Sequence, residues 1–201
     1  MDNYEYLIAG LPVLSTDWAA HSSLSAAELI DEIRRLCSKR DNDLFDQLLA
    51  GYEEENFNEE FYTSMLSHSN LFLREYFRFD LNLRNAKVRY LNRCLDRPED
   101  QDIFLEDSGE FEEKEAVEKV LNGKDLLNRE RGLDDLVWDK VSELTTFDYF
   151  NVSALLGYIA KLKIIDRWLQ LDEGTGREMF RKLVDEIRGT FKGVEFNDIQ
   201  N

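Results

Sequence analysis

One long stretch, residues 70–96, constrains the fold of this chain more than any other part of the sequence. Read at 100° per residue, its hydrophobic side chains fall on one broad face, as in a helix packed into a core. They are Phe72, Leu73, Tyr76, Phe77, Phe79, Leu81, Leu83, Val88, Tyr90, Leu91, Cys94 and Leu95. The pattern predicts a central helix of about seven turns against which the other segments pack.

Three charged residues interrupt this hydrophobic face. Asp80, Arg84 and Lys87 are spaced i, i+4 and i+7, so they project from its middle. Because unpaired buried charges are costly, two interpretations are open. The three side chains either neutralise one another as a structural ion cluster, or this part of the face lines a groove or a partner surface.

The opposite face of the same helix carries four arginines, which we call the basic stripe. The stripe consists of Arg74, Arg78, Arg89 and Arg93. The formal charge of the whole chain is −17. Residues 70–97 carry a net charge of +4, so the other residues together carry −21. This segregation indicates either that acidic neighbours shield the stripe or that it binds an acidic partner.

The acidic composition argues against whole classes of partner. With 42 acidic and 25 basic residues, the chain lacks the positive field that nucleic acids and anionic membranes attract. No hydrophobic run reaches the roughly 18 residues that span a bilayer. Both cysteines fall on hydrophobic helical faces and no secretory signal is evident, which favours reduced thiols and a cytoplasmic location.

The rest of the chain is also predicted to be helical. Ser25 and Glu28 form a capping box, Asn151 is expected to cap a helix, and no convincing pair of strands is present. Helices are expected near residues 25–39, 42–52, 61–68, 110–123, 133–146, 151–171 and 176–192, and residues 4–14 form a short helix or an extended segment. The predicted fold is all-α, an elongated multi-helix bundle of about seven to nine helices.

An acidic segment, residues 98–109, sets the predicted domain organisation. Arg97 and Pro98 end the central helix, and carboxylates dominate the residues that follow. The chain is therefore predicted to be a single helical domain, 1–201, or two lobes of about 1–97 and 110–201 joined by this segment.

Motifs that would indicate chemistry are missing from the sequence. His21 and His68 are isolated, and residues 96–107 lack the spacing of an EF-hand loop. No phosphate-binding loop or nucleophile motif is present. We expect no metal, no cofactor and no small-molecule substrate, and we expect the protein not to be an enzyme. An enzyme using clustered carboxylates would need a pocket of convergent acids.

Three stretches resemble known families. Tyr4-Glu5-Tyr6-Leu7-Ile8-Ala9-Gly10-Leu11-Pro12 is similar to the start of a small bacterial family of uncharacterised proteins that accompanies V-type ATPase genes. Asp80-Leu81-Asn82-Leu83-Arg84-Asn85-Ala86-Lys87 and Tyr158-Ile159-Ala160-Lys161-Leu162-Lys163-Ile164-Ile165-Asp166-Arg167 are similar to helices of the funnel-shaped central-stalk proteins of V/A-type ATPases, the C/d family.

The resemblance implies a non-catalytic coupling part of a proton- or ion-transporting V-type ATPase. Proteins of the C/d family are helical funnels that join the central rotor shaft to the membrane proteolipid ring, and this chain would be a shortened funnel. Its partners would be shaft and ring subunits, and it would lie in the cytoplasm, held at the membrane by protein contacts. Asp80, Arg84 and Lys87 would lie near the funnel wall. The alternative is an acidic cytoplasmic adaptor that binds a basic surface of another protein.

Overall fold

The computed structural model describes residues 4–106, 109 and 111–171. Within these residues the chain forms eight α-helices and two 3₁₀ turns, and no strand. The helices are α1 (Glu5–Gly10), α2 (Ala26–Leu36), α3 (Lys39–Ala50), α4 (Glu59–Leu66), α5 (Leu71–Cys94), α6 (Lys114–Leu121), α7 (Leu126–Leu144) and α8 (Val152–Gln170). The prediction of an all-α bundle of seven to nine helices is confirmed. The helix predicted at 176–192 lies outside the described residues.

Helix α5 is the predicted central helix, and it packs against α4, α6 and α7. The Asn70 side chain begins it by accepting a hydrogen bond from the Leu73 N–H at 3.1 Å. Its hydrophobic face is buried from Phe72 to Leu83. The last two turns differ from the prediction, because Leu91 and Leu95 are more than half exposed and Cys94 is exposed.

The predicted helix caps are confirmed where a polar residue precedes a hydrophobic repeat. Ser25 accepts a hydrogen bond from the Glu28 N–H, and Asn151 accepts one from the Ala154 N–H at 3.2 Å. Residues 4–14 begin with the short helix α1, one of the two conformations left open. The buried Tyr4 donates a hydrogen bond to Asp41 at the start of α3.

The predicted start of α7 was wrong by about two turns. The hydrophobic repeat begins at Leu133, but the helix begins at Leu126, after Asp125 accepts a hydrogen bond from the Asn128 N–H at 2.8 Å. Gly132 lies inside this helix because it packs against α6. A methyl group added there would come within 2.9 Å of Val120. The interior glycine and the charged first turns conceal the helix in the sequence.

Helix α8 holds the two halves of the chain together. It packs against α2, α3 and α7, and Leu155, Leu156 and Ile159 are fully buried in the largest hydrophobic cluster. In its first half, bulky residues lie on one side and small residues on the other, a spacing that predicts burial on both sides, and the structure confirms this. Helices from both sides of segment 98–109 therefore share one core cluster, while the choice between one domain and two lobes stays a prediction.

No helix among the described residues is both long enough and hydrophobic enough to cross a membrane.

Gly157 allows the close approach of α8 to α7. A Cβ atom there would lie 2.6 Å from the Thr145 methyl group and 3.3 Å from a Val141 methyl group. We expect Gly157→Leu to lower the free energy of unfolding by about 2 kcal/mol through overpacking. Gly10→Leu is the control, because nothing lies within 4 Å of a Cβ at that position. Equal urea midpoints for the two variants would contradict this packing.

Candidate functional site

The carboxylate of Asp80 is bound by two side chains on the hydrophobic side of α5. Tyr62, from α4, donates its hydroxyl to Asp80 Oδ2 at 2.5 Å, and Arg84 donates Nε–H to the same oxygen at 2.7 Å. The Arg84 guanidinium also lies over the Phe57 ring, 3.9 Å from its centroid. Burial is the largest single effect and opposes the charge of Arg84, but the Asp80 carboxylate together with Tyr62 and Tyr76 outweighs it, so the pKa of Arg84 is raised.

Lys87 forms its ion pair with another helix rather than with Asp80. Its ammonium group lies 3.8 Å from Glu130 of α7, and Glu130 is also 3.6 Å from Arg167 of α8. Arg167 pairs in addition with the buried Asp134. Lys87 of α5 is thus connected to α7 and α8 through a chain of ion pairs.

A cleft of about 590 Å³ lies beside these charges, between α5, α7, α8 and the turn that follows α3. Hydrophobic side chains including Phe79, Leu83, Val137 and Ile164 line it together with charged residues. The charged residues of its wall are Glu54, Asp80, Arg84, Lys87, Asp134, Lys163, Asp166 and Arg167. Four carboxylates and four cations balance, so the cleft wall is neutral in a strongly acidic chain.

A pair of tyrosines lies in the same cleft. The hydroxyl oxygens of Tyr52 and Tyr76 are 2.8 Å apart and share a hydrogen bond. Burial raises the pKa of Tyr52 and Tyr76, and burial together with Asp80 raises the pKa of Tyr62. All three hydroxyls are therefore protonated at neutral pH. They act as hydrogen-bonding groups. A tyrosine that serves as a general base needs a lowered pKa, whereas the pKa of these three is raised.

The basic stripe is paired within the fold. Arg74 lies 3.3 Å and Arg78 2.7 Å from Glu75. Arg89 lies 3.0 Å from Asp100 and also pairs with Glu106, while Arg93 is 3.8 Å from Glu99. Acidic neighbours therefore pair with every arginine of the stripe, while its possible role as a partner surface stays a prediction.

Two buried asparagines hold the acidic segment against α5. Asn92 donates its amide to the carbonyls of Glu99 and Gln101 at 3.0 and 2.7 Å, and Asn85 donates to the Leu105 carbonyl at 2.9 Å. Neither residue was among the predicted site residues. The sequence contains a signal for them: an asparagine that is buried on a helix usually forms hydrogen bonds, often with backbone carbonyls.

The two histidines have structural contacts. The buried His21 accepts the Ser15 N–H through Nε2 at 3.0 Å, and His68 accepts the Asn70 N–H through Nδ1 at 3.0 Å. Over the ranges that the structure covers, no group of three or more His, Cys, Asp or Glu side chains could hold a metal ion. Seven of the eight charged residues in the described part of the cleft wall form ion pairs, two pairs within α5 or α8 and the others between helices.

Comparison with known proteins finds a match to part of the chain. The sequence model of a family described as "Protein of unknown function (DUF2764)" matches residues 102–190, which include α6, α7 and α8. No curated protein and no solved structure matches the chain. The matched region contributes the α7 and α8 walls of the cleft, and the resemblance to V-type ATPase proteins stays a prediction.

Substitution of Asp80 tests whether its hydrogen bonds to Tyr62 and Arg84 stabilise the fold. We expect Asp80→Ala to lower the free energy of unfolding by about 2 kcal/mol, because the Tyr62 hydroxyl and the Arg84 guanidinium would lose their shared acceptor. Asp46→Ala is the matched control. It removes a carboxylate that pairs with Arg34 on the surface, which we expect to change stability by less than about 1 kcal/mol. Urea unfolding measures both, and similar losses would contradict a structural role for Asp80.

Proposed function

We propose that this chain is a non-catalytic helical subunit or accessory factor of a V-type ATPase or ATP synthase. In this role it couples the central rotor shaft to the membrane proteolipid ring and supports proton or ion transport. It works in the cytoplasm and is held at the membrane by its protein partners. The cleft between α5, α7 and α8 is the surface that contacts the shaft.

One observation carries the proposal. The two stretches that resemble helices of the C/d family, 80–87 and 158–167, lie on α5 and α8 and line the same cleft. Residues from both contribute to its wall, including Arg84 and Lys87 from one and Lys163 and Arg167 from the other. Separate resemblances in sequence thus converge on one surface in space.

The third resembling stretch also contacts α8. Tyr158, the first residue of the α8 stretch, donates its hydroxyl to the carbonyl of Pro12 at 3.1 Å. The N-terminal stretch that resembles the small bacterial family is therefore bound to a helix that resembles the C/d family. This contact supports treating the three stretches as parts of one unit.

The physical character of the cleft supports a helical occupant. Its lining combines hydrophobic side chains with balanced charges, which can receive the two faces of an amphipathic helix. The Lys87–Glu130 contact is long, at 3.8 Å, and both side chains are more than a third exposed. A partner's carboxylate can replace Glu130 there at little cost.

Charge reversal at Lys87 tests the proposal. We expect Lys87→Glu to reduce the recovery of V-type shaft and ring subunits at least about tenfold when the tagged protein is purified from its own cells in mild detergent. Arg97→Glu is the control, because it makes the same charge change on an exposed arginine outside the cleft. If wild-type protein recovers none of these subunits, or if both variants recover them equally, the proposal fails.

An acidic adaptor is the second candidate, and the paired basic stripe favours it. With these arginines engaged internally, the open surface is dominated by carboxylates. The segment between α3 and α4, extended into the first turn of α4, exposes five of them: Glu53, Glu54, Glu55, Glu59 and Glu60. Such a surface fits a basic helix or loop of another protein.

The adaptor hypothesis predicts salt-dependent binding of a lysine-rich helical peptide. Glu53→Gln combined with Glu55→Gln and Glu59→Gln should weaken binding at least about tenfold, and the effect should fade as ionic strength rises. Glu28→Gln combined with Glu32→Gln and Glu143→Gln, all outside this segment, is the control. Fluorescence anisotropy measures the affinities. Equal weakening by both sets would indicate net charge alone and contradict a defined adaptor surface.

A further inference from the structure

One end of the molecule exposes hydrophobic side chains, and we call it the aromatic end. It consists of Tyr6, Val13, Phe147, Tyr149 and Phe150, which are 94%, 88%, 88%, 66% and 45% exposed. The Tyr4 N–H donates to the Phe150 carbonyl at 2.8 Å, so the start of α1 lies against the connection between α7 and α8. The two chain segments that carry these side chains are therefore neighbours in space, although they are distant in sequence.

A groove opens beside these rings. Its volume is about 260 Å³, and Ile8, Leu11 and Val13 form one side while Thr145 and Tyr158 contribute to the other. A hydrophobic cavity of about 150 Å³ is sufficient to hold one benzene ring. The groove therefore has room for one aromatic side chain, and the exposed Phe147 follows closely after Thr145 on the rim.

The aromatic end has a low density of charge. Residues 6–14 and 149–160 contain no charged residue, although one third of the chain is charged, and Glu5 and Asp148 flank these two ranges. Of the charged residues that line the groove, the described ones are Asp148 and Lys161, which have opposite sign. Two copies of a chain with a charge of −17 repel each other. A contact between two copies is therefore favoured at a surface that carries little charge, such as the aromatic end.

The exposed area of the aromatic end is close to what a contact between two copies of the chain requires. The exposed parts of the four rings amount to roughly 450 to 700 Å², and Val13 with the groove rim adds to it. A specific interface buries about 800 Å² on each partner. Phe147 lies in the sequence between Thr145 and Asp148, which both line the groove, so ring and groove are close together. A two-fold symmetric contact needs both on one face.

We propose that the aromatic end is the interface of a homodimer, in which Phe147 of each copy enters the groove of the other. The contact is hydrophobic and works against the repulsion of two acidic bodies. Higher salt screens that repulsion, so added salt strengthens the dimer. An interface built on ion pairs would respond in the opposite direction.

Sedimentation equilibrium of the full chain tests the proposal over about a hundredfold range of protein concentration. We expect wild-type protein to pass from monomer to dimer, with a dissociation constant that falls as salt is added. Phe147→Ser combined with Tyr149→Ser should raise this constant at least about tenfold. Leu91→Ser combined with Leu127→Ser, which removes exposed leucines of α5 and α7 outside this end, should leave it unchanged.

A third variant separates loss of dimer from loss of fold. Tyr6 is almost fully exposed, so Tyr6→Glu leaves the core intact while it places a like charge in each copy's interface. It should also weaken the dimer at an unchanged thermal midpoint. Wild-type protein that stays monomeric throughout, a dimer indifferent to these substitutions, or equal weakening by the leucine control would each overturn the proposal.

Discussion

The hydrogen bonds to the Asp80 carboxylate are the interactions on which the rest of the structure depends. A carboxylate in the middle of a core helix is tolerated because Tyr62 and Arg84 both donate to it. Tyr62 belongs to α4, so the same bonds fix the position of α4 against α5. A separate set of ion pairs runs from Lys87 through Glu130 to Arg167. The charges that interrupt the hydrophobic face thus join four helices and line a cleft.

Periodicity and capping predicted much of the fold, because both are local. The central helix, the Asn151 cap and the two-sided burial of α8 follow from spacing alone. The start of α7 does not, because Gly132 is placed by its contact with α6. The site was half predictable: i, i+4 spacing joins Asp80 to Arg84. The partners Tyr62 and Glu130 come from other helices, which no spacing within α5 reveals.

Helix α8 links the two surfaces to which we assign binding roles. Its first residues follow the aromatic end, while Lys163 and Arg167 lie in the cleft. Residues of α8 up to Lys161 line the groove beside the aromatic end, and residues from Lys163 onward line the cleft, so one helix contributes to both surfaces. Both exposed surfaces depart from the acidic character of the chain: one is neutral through balanced charges, and the other is nearly uncharged. In the proposed role, a second copy of the chain and the rotor shaft bind at the same time.

Site-specific photo-crosslinking in the native cells tests the central claim most directly, since it reports what touches the cleft. A photoreactive amino acid at Gln170, on the cleft wall, should form a crosslink to a V-type shaft protein. The same group at Glu28, exposed on α2, should not. A crosslink to the V-type shaft from Gln170 alone is the predicted result. Crosslinks from both positions to the same proteins, or none from Gln170 to any V-type protein, would contradict the account.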